Sequence, residues 1–325
     1  MSTVTQRGPA GMAGPVHPLA HRRPLGDRTF QIITLAAGLL VLVILVLIAF
    51  STTQQASLWF RTEGLGIFAN NWNPAANKFG ALAFIYGTAI TAAIAIIMAV
   101  PVSVGIALLL TEVVPYRWSR PIVYVIDLLA VVPTVAWGLW GILVFAPWIS
   151  KIYTSIASGV AGIPVLDNLF GSPTSGASFM TAGIILAFMI TPIVTSLSRE
   201  VIATVPAIDR EGAYALGATR LEMITGAVWP HSKGGITGAV LLGLGRAMGE
   251  TIAAALVIGS SATITTHLFA PGDSMPAVIA NQFGEASGVF RSALIGLGVL
   301  LFAFTIIINI IARLIVGRAA EQGTA

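Results

Sequence analysis

From Phe30 to Phe50 the chain runs for 21 residues without a charged side chain. About 20 apolar residues in a helix cross a hydrocarbon core of roughly 30 Å. In lipid, the backbone N–H and C=O groups of such a run must be satisfied within the segment, which makes helix the expected form. Five more apolar runs follow, at 81–111, 121–148, 177–198, 235–259 and 292–316. Only 9% of the 325 residues are charged and 56% are hydrophobic, against about a quarter charged in soluble domains. The expectation is an all-α integral membrane protein with six transmembrane helices. The first run exceeds the ~7–15-residue core of a secretory signal, and no small-residue cleavage site follows, so it reads as a retained span. The second and third runs are longer than needed, which predicts tilt or partly exposed ends. Pro101, Pro133 and Pro192 fall inside spans and mark kinks, either beside a pathway or for packing alone.

Basic residues orient the spans. With both termini placed in the cytoplasm, twelve bases fall inside: Arg7, Arg22, Arg23, Arg28, Arg117, Arg120, Arg199, Arg210, Arg220, Lys233, Arg313 and Arg318. Four fall outside, Arg61, Lys78, Lys151 and Arg291, and Arg246 lies within a span. That bias predicts cytoplasmic termini. Residues 1–28, rich in Gly, Pro and Arg, read as a disordered cytoplasmic tail preceding a transmembrane domain over 29–325. Residues 51–80 read as an external polar loop, with Trp59, Phe60 and Trp72 as interfacial aromatics. The net charge of +4 is explained by cytoplasmic loops and calls for no nucleic acid. Cysteine is absent, which excludes disulfides, thiol catalysis and zinc–thiolate sites.

A polar island, Pro206–Pro230, separates two apolar runs inside the cytoplasmic segment 199–234. Pro206 suits a helix start, and Asp209 and Glu211 fall where the helix dipole favours negative charge. Gly217 is a natural stop. Thr219 and Glu222 have the spacing of a capping box, so a second helix begins at once, with Pro230 as its expected bound. Gly212, Ala213, Ala215 and Ala218 keep this surface low, which suits either the close approach of another protein or an ordinary structured loop.

Ionisable groups inside spans are costly and therefore mark candidate sites. Asp127, Arg246 and Glu250 are the three here. Arg246 and Glu250 are four apart, which places them on one helix face and lets them neutralise each other. Arg246 lies about 16 Å along its helix from Gly235, near mid-membrane. Gly245 and Gly249 predict a close helix neighbour. Two readings stand side by side: a clip that locks helices, or a site on the path of an anion, since a guanidinium fork suits tetrahedral oxyanions. Asp127 belongs either to that path or to the cytoplasmic interface. Lys78, Lys151 and Lys233 follow Asn77, Ser150 and Ser232, so none closes a phosphate-cradling glycine loop. Nothing else in the chain offers ATP hydrolysis or a metal site; His17 and His21 are four apart, but Pro18 and Pro24 disfavour a helix that would present both.

Residues of the island resemble the coupling loop of bacterial ABC importer permeases, Glu-Ala-Ala, three residues, Gly, nine residues, Ile-x-Leu-Pro. Glu211, Ala213, Gly217 and Pro230 match at that spacing, while Gly212, Ala227 and Trp229 replace an Ala, the Ile and the Leu. Three further stretches, 71–88 (NWNPAANKFGALAFIYGT), 127–141 (DLLAVVPTVAWGLWG) and 243–253 (GLGRAMGETIA), resemble the PstC-type permease family of bacterial phosphate importers. Asp127 stands where that family usually has Glu. The resemblance spans most of 27–316 and implies the type I ABC importer permease fold in a bacterial inner membrane. It implies partners: a PstA-type permease, a PstB-type ATPase dimer carrying ATP and Mg, and a PstS-type phosphate-binding protein. It assigns no cofactor and no catalysis to this chain, coupling to Glu211, Gly212, Ala213 and Gly217, and passage of phosphate to Arg246 and Glu250. The rival from another class is an ion-coupled secondary anion carrier using Asp127, Arg246 and Glu250 as a relay; the inverted repeats that would support it are not evident. An ABC permease for another oxyanion, or a membrane scaffold, are the remaining alternatives.

Overall fold

The structure, a computed structural model, describes residues 25–171 and 175–321, and side chains from 28 to 314 within them. The tail expected over 1–28, with His17 and His21, lies almost wholly outside these residues. Thirteen helices and a two-stranded hairpin are described. Helix α1 covers Leu25–Glu63 and α2 covers Leu82–Leu108; α3 is Tyr116–Val131, α4 Thr134–Trp140, α5 Ala146–Val160 and α6 Pro164–Phe170. Helix α7 is Phe179–Ala203, followed by α8, Ala207–Ala215, and α9, Arg220–Met223. Helices α10, Trp229–Met248, α11, Ile252–Val257, α12, Met275–Gln282, and α13, Gly288–Glu321, complete the chain. Strands β1, Trp72–Asn73, and β2, Lys78–Phe79, form the hairpin of the NWNPAANKFG stretch, with Asn77 left-handed at its turn.

Contacts divide the chain into two units, 1–50 and 51–325. The first contributes the uncharged part of α1. In the second, α7 is the central strut, packed along α2 on one side and α10 on the other. Among the described residues five helical segments are long and apolar enough to cross a membrane: Arg28–Phe68, Leu82–Val113, Thr134–Val160, Phe179–Ala203 and Gly288–Leu314. The expected run over 235–259 is not a continuous helix, because the backbone breaks at Gly249–Thr251. The run over 121–148 is also broken, at Val132–Pro133, and the long apolar segment there starts only at Thr134. Pro133 disfavours helical backbone at Val132, which adopts ψ 126°.

Three π-helical segments, Leu109–Val113, Gly141–Phe145 and Ile224–Val228, each end two residues before a proline: Pro115, Pro147 and Pro230. Proline lacks an N–H and its ring clashes with the carbonyl four residues back. Where the helix continues through the proline, those carbonyls belong to Leu143 and Gly226, each inside a wide turn that moves it aside, whereas at Pro115 the chain has already left the helix at Val114. Pro230 therefore does not bound the second island helix. Helix runs unbroken from Arg220 through Pro230 to Met248.

Three apolar clusters hold the second unit. The largest joins α2, α5, α7 and α11 through Ala99, Ile149, Phe179, Ile185, Ile190 and Val257. Gly138 on α4 lies against Ala253 and Leu256 of α11, a contact too close for any side chain at 138. A second cluster is built on Trp59, which is 0% exposed and gives its Nε1–H to the Phe79 carbonyl at 2.9 Å. The segment 51–63 is thus helix rather than loop. Its tryptophan is a core anchor rather than an interfacial aromatic, covered by Phe79, Leu294 and Leu297 from distant parts of the chain. The short helix α12 packs inward, with Met275–Val278 buried. The third cluster, Ala107, Ile202, Val205, Met223, Val228 and Ile236, underlies the polar island.

Candidate functional site

Two places carry the candidate residues. In the island, Pro206 caps α8 and Gly217 ends it with φ +84°, a conformation that disfavours any side chain. The Gly217 N–H bonds the Tyr214 carbonyl at 2.9 Å and the Ala218 N–H the Ala213 carbonyl at 3.1 Å, which satisfies the helix end. The capping box closes as the spacing predicts: the Glu222 carboxylate accepts from the Thr219 N–H and hydroxyl, both at 2.7 Å. Those bonds, the backbone one first, hold the Glu222 carboxyl below its ordinary value.

Helix α8 has no buried residue. Glu211 and Gly212 are exposed, and a Cβ at Gly212 would meet open space. Ala213 is half-buried against the cluster beneath. Ile208, Leu216 and Leu221 stand out of this surface, Leu216 at 91% exposure. Sequence reasoning weighed the small residues and passed over these three. Their signal was large apolar side chains in an otherwise polar stretch.

Arg210 ties the island to the bundle. One arm of its guanidinium gives Nη1–H to the Val205 carbonyl at 2.7 Å, and Nη2 donates to the Ile202 carbonyl at 2.9 Å. Nη2 also meets Glu112 Oε1 at 2.9 Å, an ion pair across 98 positions of sequence. The Arg210 and Glu112 side chains are 23% and 6% exposed.

The second place is the end of α10. Arg246 lies in its last turn, exposed, and forms no ion pair or hydrogen bond among the described residues. Glu250 does not share its helix face. The helix ends at Met248, and Glu250, 8% exposed, turns inward, where Oε1 accepts from the Ala253 N–H at 3.3 Å. The neutralising pair expected from the four-residue spacing is therefore not formed, because the Gly249 turn rotates Glu250 onto the start of α11. Close helix contact is also elsewhere than expected: Gly235 and Gly243 lie against Val201 and Val194 of α7, while Gly245 faces open space. Gly238, Leu242, Arg246 and Gly249 form an uncovered stripe along α10. Asp127 is exposed near the end of α3, just before the Pro133 break, without a hydrogen bond or ion pair among the described residues. An apolar groove beside that break, lined by Leu129, Val132, Trp137, Trp140 and Phe188, offers little to an anion.

An unpaired guanidinium on an open stripe, between Leu242 and Gly249, has two free edges for an oxyanion. The polar island, by contrast, presents exposed apolar side chains, Ile208, Leu216 and Leu221, around a closed capping box.

The chain is similar to known proteins over most of its length. Residues 103–321 match the family described as binding-protein-dependent transport system inner membrane component. A phosphate transport system permease protein PstC of Mesorhizobium japonicum is 44% identical over 300 residues, covering 91% of this chain and 92% of that protein. A protein of the same name from Xylella fastidiosa is 42% identical over 299 residues, covering 91% and 92%. Among solved structures, a chain of a bacterial alginate ABC transporter, determined with a pentasaccharide-bound periplasmic protein, superposes with TM-score 0.59. That match covers 91% of this chain and 98% of the other at 15% identity, a likeness of fold alone.

Proposed function

The chain belongs to the family of binding-protein-dependent transport system inner membrane components, and from that premise we propose that it is the permease subunit of an ATP-driven phosphate importer. It is a multi-pass membrane protein and a transport component. The observation that carries the substrate is the exposed, unpaired Arg246 in a chain 44% identical to a phosphate permease. The chain provides half of a gated path, with the α10 stripe facing a PstA-type permease. Arg246 offers charge and donors to phosphate where water is scarce, and Asp127 lies toward the cytoplasmic end of the same path. A dehydrated phosphate without such compensation is excluded from a membrane interior. Glu250 shapes the site by starting α11 rather than by binding the anion.

No bond chemistry falls to this chain. ATP and Mg bind a PstB-type ATPase dimer, which receives Glu211, Gly212, Ala213 and the apolar side chains of Ile208 and Leu216, while Gly217 sets the angle of the loop. A PstS-type protein delivers phosphate outside. The orientation has both termini in the cytoplasm. Cysteines at Ser2 and at Ala75, in the hairpin turn, test it with an impermeant thiol reagent on spheroplasts: modification of Ala75→Cys alone is expected, and of Ser2→Cys alone would reverse it.

The deciding experiment is uptake of labelled phosphate into proteoliposomes holding the whole complex, with ATP inside and the loaded binding protein outside. ATP-dependent uptake competed by phosphate but not by sulfate or molybdate is expected. Uptake without ATP, or none of phosphate, overturns the reading.

A further inference from the structure

We infer that Arg210 and Glu112 are positioning residues that carry movement of the coupling helix α8 into α2, a helix with no chain connection to α8. The inference rests on the importer reading above. Helix α8 joins α7 through Thr204–Pro206 and α9 through the Gly217 turn, so a push on α8 reaches those helices along the backbone. It reaches α2 only by contact. Apolar contacts exist there, around Ala107, Ile202 and the half-buried Ala213, but apolar surfaces are non-directional. The guanidinium fixes direction. It is anchored on the Ile202 and Val205 carbonyls at the end of α7 and reaches Glu112 of the adjoining segment at 2.9 Å. A planar fork with acceptors on two sides resists rotation in a way a lysine cannot.

The far side of the contact is equally fixed. Glu112 sits in the π-helical turn Leu109–Val113 that continues α2. Just beyond it the chain becomes extended at Val114, and Ser119 Oγ–H closes back on the Leu110 carbonyl at 3.0 Å. The carboxylate is thus held at the mouth of α2, with 6% of its side chain exposed, and α8 has no other ion pair to the bundle among the described residues. Charge-assisted contacts of this kind are stronger than neutral ones and specific in geometry.

The test uses the reconstituted complex with Glu112→Ala, Arg210→Gln and the double variant. Complex yield, basal ATP turnover, the stimulation of turnover by phosphate-loaded binding protein, and phosphate uptake are measured on one preparation. In Glu112→Ala, Arg210 keeps both carbonyl partners, so yield and basal turnover are expected within about twofold of the unaltered complex, while stimulation and uptake fall about tenfold or more. The double variant should lose no more than the worse single one, since both remove the same contact. Stimulation and uptake within twofold in Glu112→Ala, or losses that multiply in the double variant, overturn the inference. Should Glu112→Ala lower yield, Glu112→Gln keeps the volume and an acceptor oxygen and is read by the same ratio of stimulated to basal turnover. Absence of stimulation and uptake in the unaltered complex would strike the importer reading instead.

Discussion

Two arginines of this chain live in opposite conditions. Arg210, in the polar island, has three oxygen partners within 2.9 Å. Arg246, at the end of α10, has none among the described residues and stands exposed on an open stripe. The first charge is used up by the fold. The second is left over, free to meet a partner or ligand outside the chain. The difference warns against reading a charge's role from its type alone. Glu250 is charged too, yet its oxygen already caps α11.

Breaking the comparison at Arg246 should have the largest effect. Arg246→Gln removes charge without orphaning any described group, so complex yield should hold while labelled-phosphate uptake drops by about 100-fold or more, in line with loss of a charged ligand contact. Glu250→Gln keeps an acceptor for the Ala253 N–H and should retain most uptake, whereas a shared ion-pair role would make both variants equally inactive. Wild-type uptake in Arg246→Gln would show that its isolation is incidental.

The loop end is tested next, by Gly217→Val. Left-handed backbone costs an ordinary L residue about 1–2 kcal/mol, and a β-branched one more. The α8–α9 angle should relax, and uptake should fall severalfold with membrane insertion intact. Uptake equal to the parent's would mean the loop docks without a fixed angle.

The smallest effect belongs to the capping box. Thr219→Ala should cost about 1 kcal/mol of local helix stability, seen as faster hydrogen exchange at 220–223, with little change in uptake. Because the Glu222 carboxyl is held below the ordinary carboxylate value, its contribution is present above that ordinary value and lost as pH falls through the lower folded one. Protection factors at the start of α9, with the intrinsic pH dependence of exchange divided out, should therefore fall on acidification in the parent and not in Glu222→Gln.

The comparison also separates what a sequence can disclose. Gly217 and the Thr219–Glu222 box were legible because both obey rules of a few residues' reach. The apolar runs announced a membrane bundle for the same reason. The Glu112–Arg210 pair was not, since 98 positions part the two and the acids adjoining Arg210, Asp209 and Glu211, are its nearer partners in sequence. The break at Gly249 was hidden because a glycine in an apolar run reads as a packing residue, and only the α4–α11 contact at Gly138 reveals why α11 takes its own direction. Trp59 was misplaced on similar grounds: its cover comes from residues 292–297, far along the chain.

The unbroken helix from Arg220 to Met248 has a mechanical meaning. Its 29 residues make a rod of about 43 Å at roughly 1.5 Å per residue. One tip adjoins the Gly217 bend and the other carries Arg246. Pro230 holds the wide turn at 224–228 in place, since an ordinary turn there would drive its ring into the Gly226 carbonyl. A tilt of about 10° imposed at the loop end would sweep the arginine end through about 7 Å, given that length. Leverage of that kind lets a modest rocking of the loop move a single charge by more than the width of an anion.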